Sequence, residues 1–294
     1  MNEIKEQKVK VPVMEQVAEM SMRLGQRYLA DYGARRSRHD FTQRQLMSCL
    51  VLRAYLKTTY RGVLEFLSLS STLRERLGLS DKLPHFTTLQ KFSARSQVVA
   101  IAQKLVAAIG ASVVQTETAP QSAAMDSTGL TTTQASEYYR SRSGKRSRRW
   151  AKVSVIVWTT SLLPLGLVVD MGPSNDRVQV PELLRQAQAV GQPQRLYADA
   201  GYDAEWIHAH CREQWGVESV IKPNGQRADG VRNGKWRAGM SPEHLKTSNY
   251  GRRWAVESFF SALKRTMGAS LSARRPDQML AEAAFKVLAY ALRR

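Results

Sequence analysis

Residues 121–130 read QSAAMDSTGL, and here the chain changes character. From this point on, short β-branched or apolar runs at 123–128, 153–158, 165–170 and 195–198 alternate with Gly, Pro or basic loops, which predicts strands. A helix fits 204–214, a further strand fits 217–221, and two helices, 253–267 and 276–292, complete the pattern. Strands followed by helices in this order predict a mixed α/β layer rather than a helical bundle. Between them, residues 222–249, KPNGQRADGVRNGKWRAGMSPEHLKTSN, are rich in Gly, Asn and basic side chains without a period. A long loop or irregular insertion is expected there, and loops of that length are usually functional or disordered.

Upstream of residue 121 the periodicity is helical. An amphipathic stretch covers 13–32, and a basic turn, Arg35-Arg36-Ser37-Arg38, follows it. The segment 42–56 places Leu46, Cys49, Leu50 and Leu56 towards one side, with Thr42 as its N-cap. Shorter helical units fit 63–69 and 72–77, and Thr87 is expected to cap a helix running towards Ser96. Together these resemble a small bundle of the helix-turn-helix kind, from which DNA contact is expected. The organisation predicted is a helical N-terminal region, 1–120, followed by an α/β catalytic domain, 121–294.

Charge narrows the class of partner. The 294 residues carry 44 Lys and Arg against 25 Asp and Glu, a formal +19. An excess of that size attracts polyanions over a Debye length of roughly 8 to 10 Å and favours nucleic acid or an anionic surface. Cys49 and Cys211, far apart in sequence, do not form a disulfide framework and fit a reducing compartment. The first residues, MNEIKEQKVKVPVMEQ, lack a continuous apolar core, and no run of ~18 apolar residues follows. A soluble, cytoplasmic chain with no membrane partner is therefore expected.

Three carboxylates sit where chemistry could be built. Asp126 and Asp199 fall at the ends of apolar strand-like runs, before small residues and Gly, where a side chain projects into the crevice in which α/β sheets bind ligands. Glu257 lies on a predicted helix that can lay its carboxylate over the same sheet edge. Hard divalent cations take oxygen ligands, and three carboxylates suit a pair of metals about 3.5 to 4 Å apart that clamp both oxygens of a phosphoryl displacement. From spacing alone, Asp126 also suits an Asx turn and Glu257 a surface ion pair with Arg253.

The wider context carries a resemblance. Residues 250–264, YGRRWAVESFFSALK, match the Y-x2-R-x3-E-x6-K motif of bacterial insertion-sequence DDE transposases of families four and five at all four positions, Tyr250, Arg253, Glu257 and Lys264. MDSTG at 125–129 is similar to the setting of their first catalytic Asp, and DAGYD at 199–203 to that of the second. Residues 73–95, LRERLGLSDKLPHFTTLQKFSAR, resemble the helical segment preceding the catalytic domain in family five, the closer of the two. The resemblance implies a ribonuclease H-like fold, with Asp126, Asp199 and Glu257 as catalytic metal ligands. It further implies two Mg²⁺ ions, with Mn²⁺ able to substitute, and double-stranded element-end and target DNA as partners of a homo-oligomer. A non-cutting DNA-binding regulator and a ribonuclease H-like nuclease are the competing readings.

Other residues support or compete with this assignment. Arg140, Arg142, Lys145, Arg146, Arg148 and Arg149, flanked by aromatics, are expected to form a basic turn that neutralises phosphates beside Asp126. Tyr250, Arg253 and Lys264 are expected to face DNA. His208, His210 and Cys211 are too closely spaced for a zinc site. Asp203 is expected to cap the following helix; Asp176 could help shape the site, but capping or solvating its own loop is the favoured expectation. Trp254 fits either a DNA-stacking or a core position.

Overall fold

The computed structural model describes residues 11–36, 38–116, 121–132, 150–224 and 233–294. Six helices come first: α1 (Val13–Tyr28), α2 (Gln43–Tyr55), α3 (Tyr60–Leu69), α4 (Ser71–Arg76), α5 (Phe86–Ser93) and α6 (Val98–Thr116). Strands β1 (Ala123–Thr131), β2 (Trp150–Trp158) and β3 (Pro164–Gly172) follow, then a 3-10 turn (Asp176–Gln179) leading into α7 (Val180–Val190). Next come β4 (Arg195–Ala198), a second 3-10 turn (Ala200–Tyr202), α8 (Glu205–Ala209) and β5 (Glu218–Ile221). The last part holds α9 (Pro242–Thr247), a 3-10 turn (Tyr250–Arg253), α10 (Trp254–Met267) and α11 (Pro276–Arg293).

The five strands form one sheet in the order β3-β2-β1-β4-β5. β1, β2 and β3 pair antiparallel, whereas β4 joins β1, and β5 joins β4, in parallel. Parallel neighbours need a crossover, supplied by α7 between β3 and β4 and by α8 between β4 and β5. β2, WAKVSVIVW, is buried along almost its whole length because helices cover both sheet faces. Val153, Val155 and Val157 share one core with Val256 and Phe259 of α10 and Phe285 of α11. Ile156 and Trp158 face the opposite core, with Leu183 of α7 and Ile207 of α8. This is the expected α/β architecture of ribonuclease H type preceded by a helical region.

α11 joins the two regions. Nearly every side chain from Gln278 to Leu292 is buried, as in a helix surrounded by protein on all sides. It packs on α1, α2 and α6 as well as on β2, β3 and α10, so the N-terminal helices and the sheet share one continuous core. Arg53 of α2 meets Glu282 of α11 at 3.4 Å with both side chains buried, and Glu282 also accepts the Ser272 and Ala273 amides. Among the described residues no single helix is long and apolar enough to cross a membrane.

Several local expectations are corrected. α1 stops at Tyr28 rather than 32 because Leu29 turns extended, its amide still bonded to Gly25. α5 starts at Phe86 without a side-chain cap; the Thr87 hydroxyl pairs with His85 Nδ1 instead. Thr42 does cap α2, in a reciprocal box with Gln45. β1 runs past the expected 128 to Thr131, paired with β2 throughout, so that Asp126 lies inside the strand rather than at its end. α7 adds an element to those expected from the sequence; Pro181 in its first turn and the period of Val180, Leu183, Leu184 and Ala187 mark an amphipathic helix. The segment 222–249 holds α9, whose first turn is capped by Ser241.

Candidate active site

β1 and β4 run side by side for only two residue pairs, Ala123 with Leu196 and Ala124 with Tyr197. Beyond them the strands part, and Asp126 and Asp199 flank the gap. Asp126 accepts its neighbour's amide, Ser127 N, at 2.7 Å. Asp199 caps the turn that follows β4, accepting Gly201 N at 2.9 Å. Burial pushes the Asp126 carboxyl up to about 6, and the charges of Asp199 and Asp176 add to the rise while Arg253 opposes it. Asp126 is thus poorly solvated and lies within electrostatic reach of two further carboxylates, the condition that favours a nearby cation.

Asp176 takes the less favoured of the two places expected for it, beside the crevice rather than as the cap of its loop. Its 3-10 turn is capped by Asn175, which accepts Arg177 N at 3.0 Å, leaving Asp176 to pair with Lys152 at 2.6 Å. A Cβ built on Gly201 would stand 3.0 Å from Asp199 Oδ1 and 3.8 Å from Asp176 Oδ2, so both carboxylates border one small volume. The sequence did contain a signal. Lys152 is the one charge inside the apolar strand WAKVSVIVW, and at 1% exposure it requires an anionic or carbonyl partner. It finds Asp176 and the Ser174 carbonyl, the latter at 2.8 Å.

Glu257 lies in the first turn of α10 and is paired with Arg253, Nη2 to Oε1, at 2.5 Å. The surface ion pair considered from spacing is therefore present. Arg253 also acts electrostatically on Asp126, which makes its guanidinium a shared counter-ion of the crevice and the helix. Tyr250 donates its hydroxyl to the Ala198 carbonyl at 3.0 Å, immediately before Asp199. Lys264 donates to Thr128 Oγ1 at 2.6 Å, two residues beyond Asp126, and burial holds its ammonium below the ordinary lysine range. Val256, Phe259, Phe260, Leu263 and Met267 are buried against the sheet and fix the rotation of α10, as its periodicity predicts.

Oxygen donors of this kind suit a hard divalent ion. Among the described residues, however, no three His, Cys, Asp or Glu side chains are grouped closely enough to hold one together. Asp126 and Asp199 border the end of the β1–β4 ladder together, whereas Glu257 is engaged by Arg253.

The remaining candidates separate cleanly. Asp203 does not cap α8. Burial alone would raise its carboxyl, but two 2.7 Å bonds from Arg237 and the Asn224 amide together hold it below its usual range. His208 bonds Ser219 at 2.8 Å and burial pushes it down to about 4, while burial lifts the Cys211 thiol to about 12. Both belong to packing. Trp254 is 62% exposed and so is not a core residue. Arg140, Arg142, Lys145, Arg146, Arg148 and Arg149 lie outside the described residues.

A family model described as a transposase DDE domain matches residues 117–292. No curated protein matches the chain.

Proposed function

The chain belongs to the DDE transposase family, and from that premise we propose that it binds the terminal inverted repeats of an insertion sequence, cleaves there and joins the freed 3′ end to target DNA. Family membership makes DNA the substrate and divalent metal ions the usual requirement. The observation that carries the finer reading is the placement of Asp126 and Asp199 on either side of the β1–β4 gap, with the Asp126 carboxyl raised by burial and like charge.

In this proposal Asp126, Asp199 and Glu257 hold two Mg²⁺ ions, which Mn²⁺ can replace. Bound there, the metals would activate the attacking oxygen and stabilise the leaving one. Glu257 has to exchange Arg253 for metal, and Arg253 then becomes available to a DNA phosphate. Tyr250 anchors the helix to the end of β4, and Lys264 reaches the backbone one or two nucleotides from the scissile bond. The Tyr250, Arg253, Glu257 and Lys264 spacing supports assignment to insertion-sequence families four and five, and residues 73–95 support the fifth. Residues 1–120 would recognise the element ends and 121–294 perform the reaction, as a cytoplasmic homo-oligomer assembled on DNA.

The Arg253–Glu257 pair favours a non-cutting regulator, as does the lack of a three-carboxylate group among the described residues. Incubation of the protein with inverted-repeat DNA and Mg²⁺ or Mn²⁺ separates the two. Cleavage lost in each of Asp126→Asn, Asp199→Asn and Glu257→Gln, with DNA affinity kept, supports the transposase. Retention of cutting by any one variant removes that residue from the site.

A further inference from the structure

A largely buried chain of hydroxyls links the segments that carry Asp126 and Asp199. The Tyr202 hydroxyl lies 2.8 Å from Ser127 Oγ, and Ser127 Oγ lies 2.7 Å from Ser154 Oγ. Ser154 in turn donates to Gln179 Oε1. Tyr202 and Ser154 are fully buried and Gln179 nearly so. Each hydroxyl has one proton, so the direction of the chain is determined. Ser154 gives its proton to Gln179, Ser127 must therefore donate to Ser154, and Tyr202 must donate to Ser127.

The ends of this chain are attached to the two segments that carry the aspartates. Ser127 follows Asp126 in β1 and points to the opposite sheet face, since strand side chains alternate. Tyr202 ends the 3-10 turn whose N-cap is Asp199. The backbone ladder between β1 and β4 has already stopped at Ala124 and Tyr197. The side-chain bond from Tyr202 to Ser127 continues the connection where the ladder leaves off. Burial holds the Tyr202 phenol protonated, and Asp126, Asp176 and Asp199 all reinforce this, so its hydroxyl lies within electrostatic reach of the whole crevice.

We propose that Tyr202 and Ser127 are positioning residues that set the width of the gap between Asp126 and Asp199, and with it the size of divalent ion the pair accepts. The inference rests on the assignment of Asp126 and Asp199 as metal ligands. Mg²⁺ demands near-ideal octahedral geometry at about 2.0 to 2.1 Å, whereas Ca²⁺ accepts flexible coordination at about 2.3 to 2.6 Å. A crevice tied across its floor favours the smaller, stricter ion. Untied, it can widen, which harms Mg²⁺ binding more than Ca²⁺ binding.

Calorimetric titration of the whole DNA-free protein with Mg²⁺ and with Ca²⁺ tests this without recourse to activity. Tyr202→Phe removes only the hydroxyl, and Ser127→Ala removes the other end of the same bond with a smaller change in volume. Each variant should lower the ratio of Mg²⁺ to Ca²⁺ affinity by roughly five- to tenfold, the scale of one hydrogen bond. Because Ser127 also bonds Ser154, the double variant should shift the ratio no further than Ser127→Ala alone. A merely structural role would lower the melting temperature and weaken both ions alike, so an unchanged ratio in Ser127→Ala and Tyr202→Phe overturns the proposal. Asp126→Asn and Asp199→Asn serve as the controls. If they leave Mg²⁺ binding intact, the ligand assignment itself fails; if they abolish it while the ratio is unmoved in the hydroxyl variants, only the positioning role fails.

Discussion

Arg253 Nη2 lies 2.5 Å from Glu257 Oε1, and the same guanidinium also draws down the pKa of Asp126. One cation therefore serves two carboxylates on different elements, one on β1 and one on α10. In the DNA-free protein this relieves charge that metal and phosphate would otherwise rearrange. Substituting Arg253 by Gln should leave Asp126 more strongly raised than its present value of about 6. It should also weaken binding of inverted-repeat DNA through loss of a phosphate contact. Titration of the Asp126 carboxyl by NMR, with and without the substitution, checks the electrostatic half; an unmoved titration would remove Arg253 as its counter-ion.

Asp126 is predicted to cost stability in the metal-free protein. Its folded-state value, about 6, exceeds the ordinary 3.8, so between those limits the folded state binds more protons than the unfolded one. Stability then falls as pH rises through that window and stays reduced above it. Asp126→Asn should be more stable than the parent at pH 7, by no more than about 3 kcal/mol, with the advantage gone below about pH 4. Added Mg²⁺ should stabilise the parent but not the variant. Urea denaturation at the two pH values, with EDTA or Mg²⁺, gives all four comparisons.

Lys264 is expected to act on DNA rather than on metal. Its ammonium is held by Thr128 Oγ1, which keeps it beside β1 at the cost of partial desolvation. Lys264→Ala should weaken binding to element ends and slow cleavage while leaving the Mg²⁺ concentration for half-maximal activity unchanged. A shift in metal demand as large as that of Glu257→Gln would end the phosphate-anchoring role.

Trp254 offers an exposed ring at the start of α10, adjoining Arg253. Trp254→Ala should leave the unfolding midpoint almost unaltered, since little apolar area is lost from the core. It should weaken DNA binding by about 1 to 3 kcal/mol if a base stacks on the indole. Fluorescence quenching of the indole on DNA addition, compared with affinity in the variant, decides between contact and bystander.

The buried Arg53–Glu282 pair gives a test of how the helical region is fastened to the sheet. Removing one partner strands a buried charge, so Arg53→Met alone should cost about 3 to 5 kcal/mol, whereas Arg53→Met with Glu282→Leu should cost less than that single change. Chemical denaturation of the three proteins measures the difference. A double variant worse than the single one would mean that the Ser272 and Ala273 amides depend on Glu282 more than Arg53 does.

What could be read directly in the chain was whatever depends on near neighbours. The alternation from helical to strand periodicity near residue 121, the Thr42 cap and the apolar stripe of α10 all follow from local spacing. The placement of Asp199 after β4 followed from the same local reading, whereas Asp126 lies inside β1 and comes beside Asp199 because the β1–β4 ladder stops at Ala124 and Tyr197. The partner of Asp176 was only half legible: the lone Lys152 inside an apolar strand calls for an anion, but which one meets it depends on the fold of β2 against β3. The Tyr202–Ser127 contact joins residues 75 positions apart and has no periodic trace. The pairing of Glu257 with Arg253 was anticipated as one of two options, because residues four apart on a helix always face each other.

The burial of β2 also bears on handling the protein. Residues 153–158, VSVIVW, contain neither charge nor proline and are rich in strand-forming side chains, the composition of segments that stack into fibrils. In the folded chain both edges of this strand are occupied, by β1 on one side and β3 on the other. β3 is the outer strand, so any excursion that peels it away presents a ready template to a second molecule. Lys152, at the head of the run, is the charge that opposes such stacking. Slow production at low temperature should thus give dispersed protein, and rapid production at high temperature should give insoluble deposits, with Lys152→Val worsening the loss.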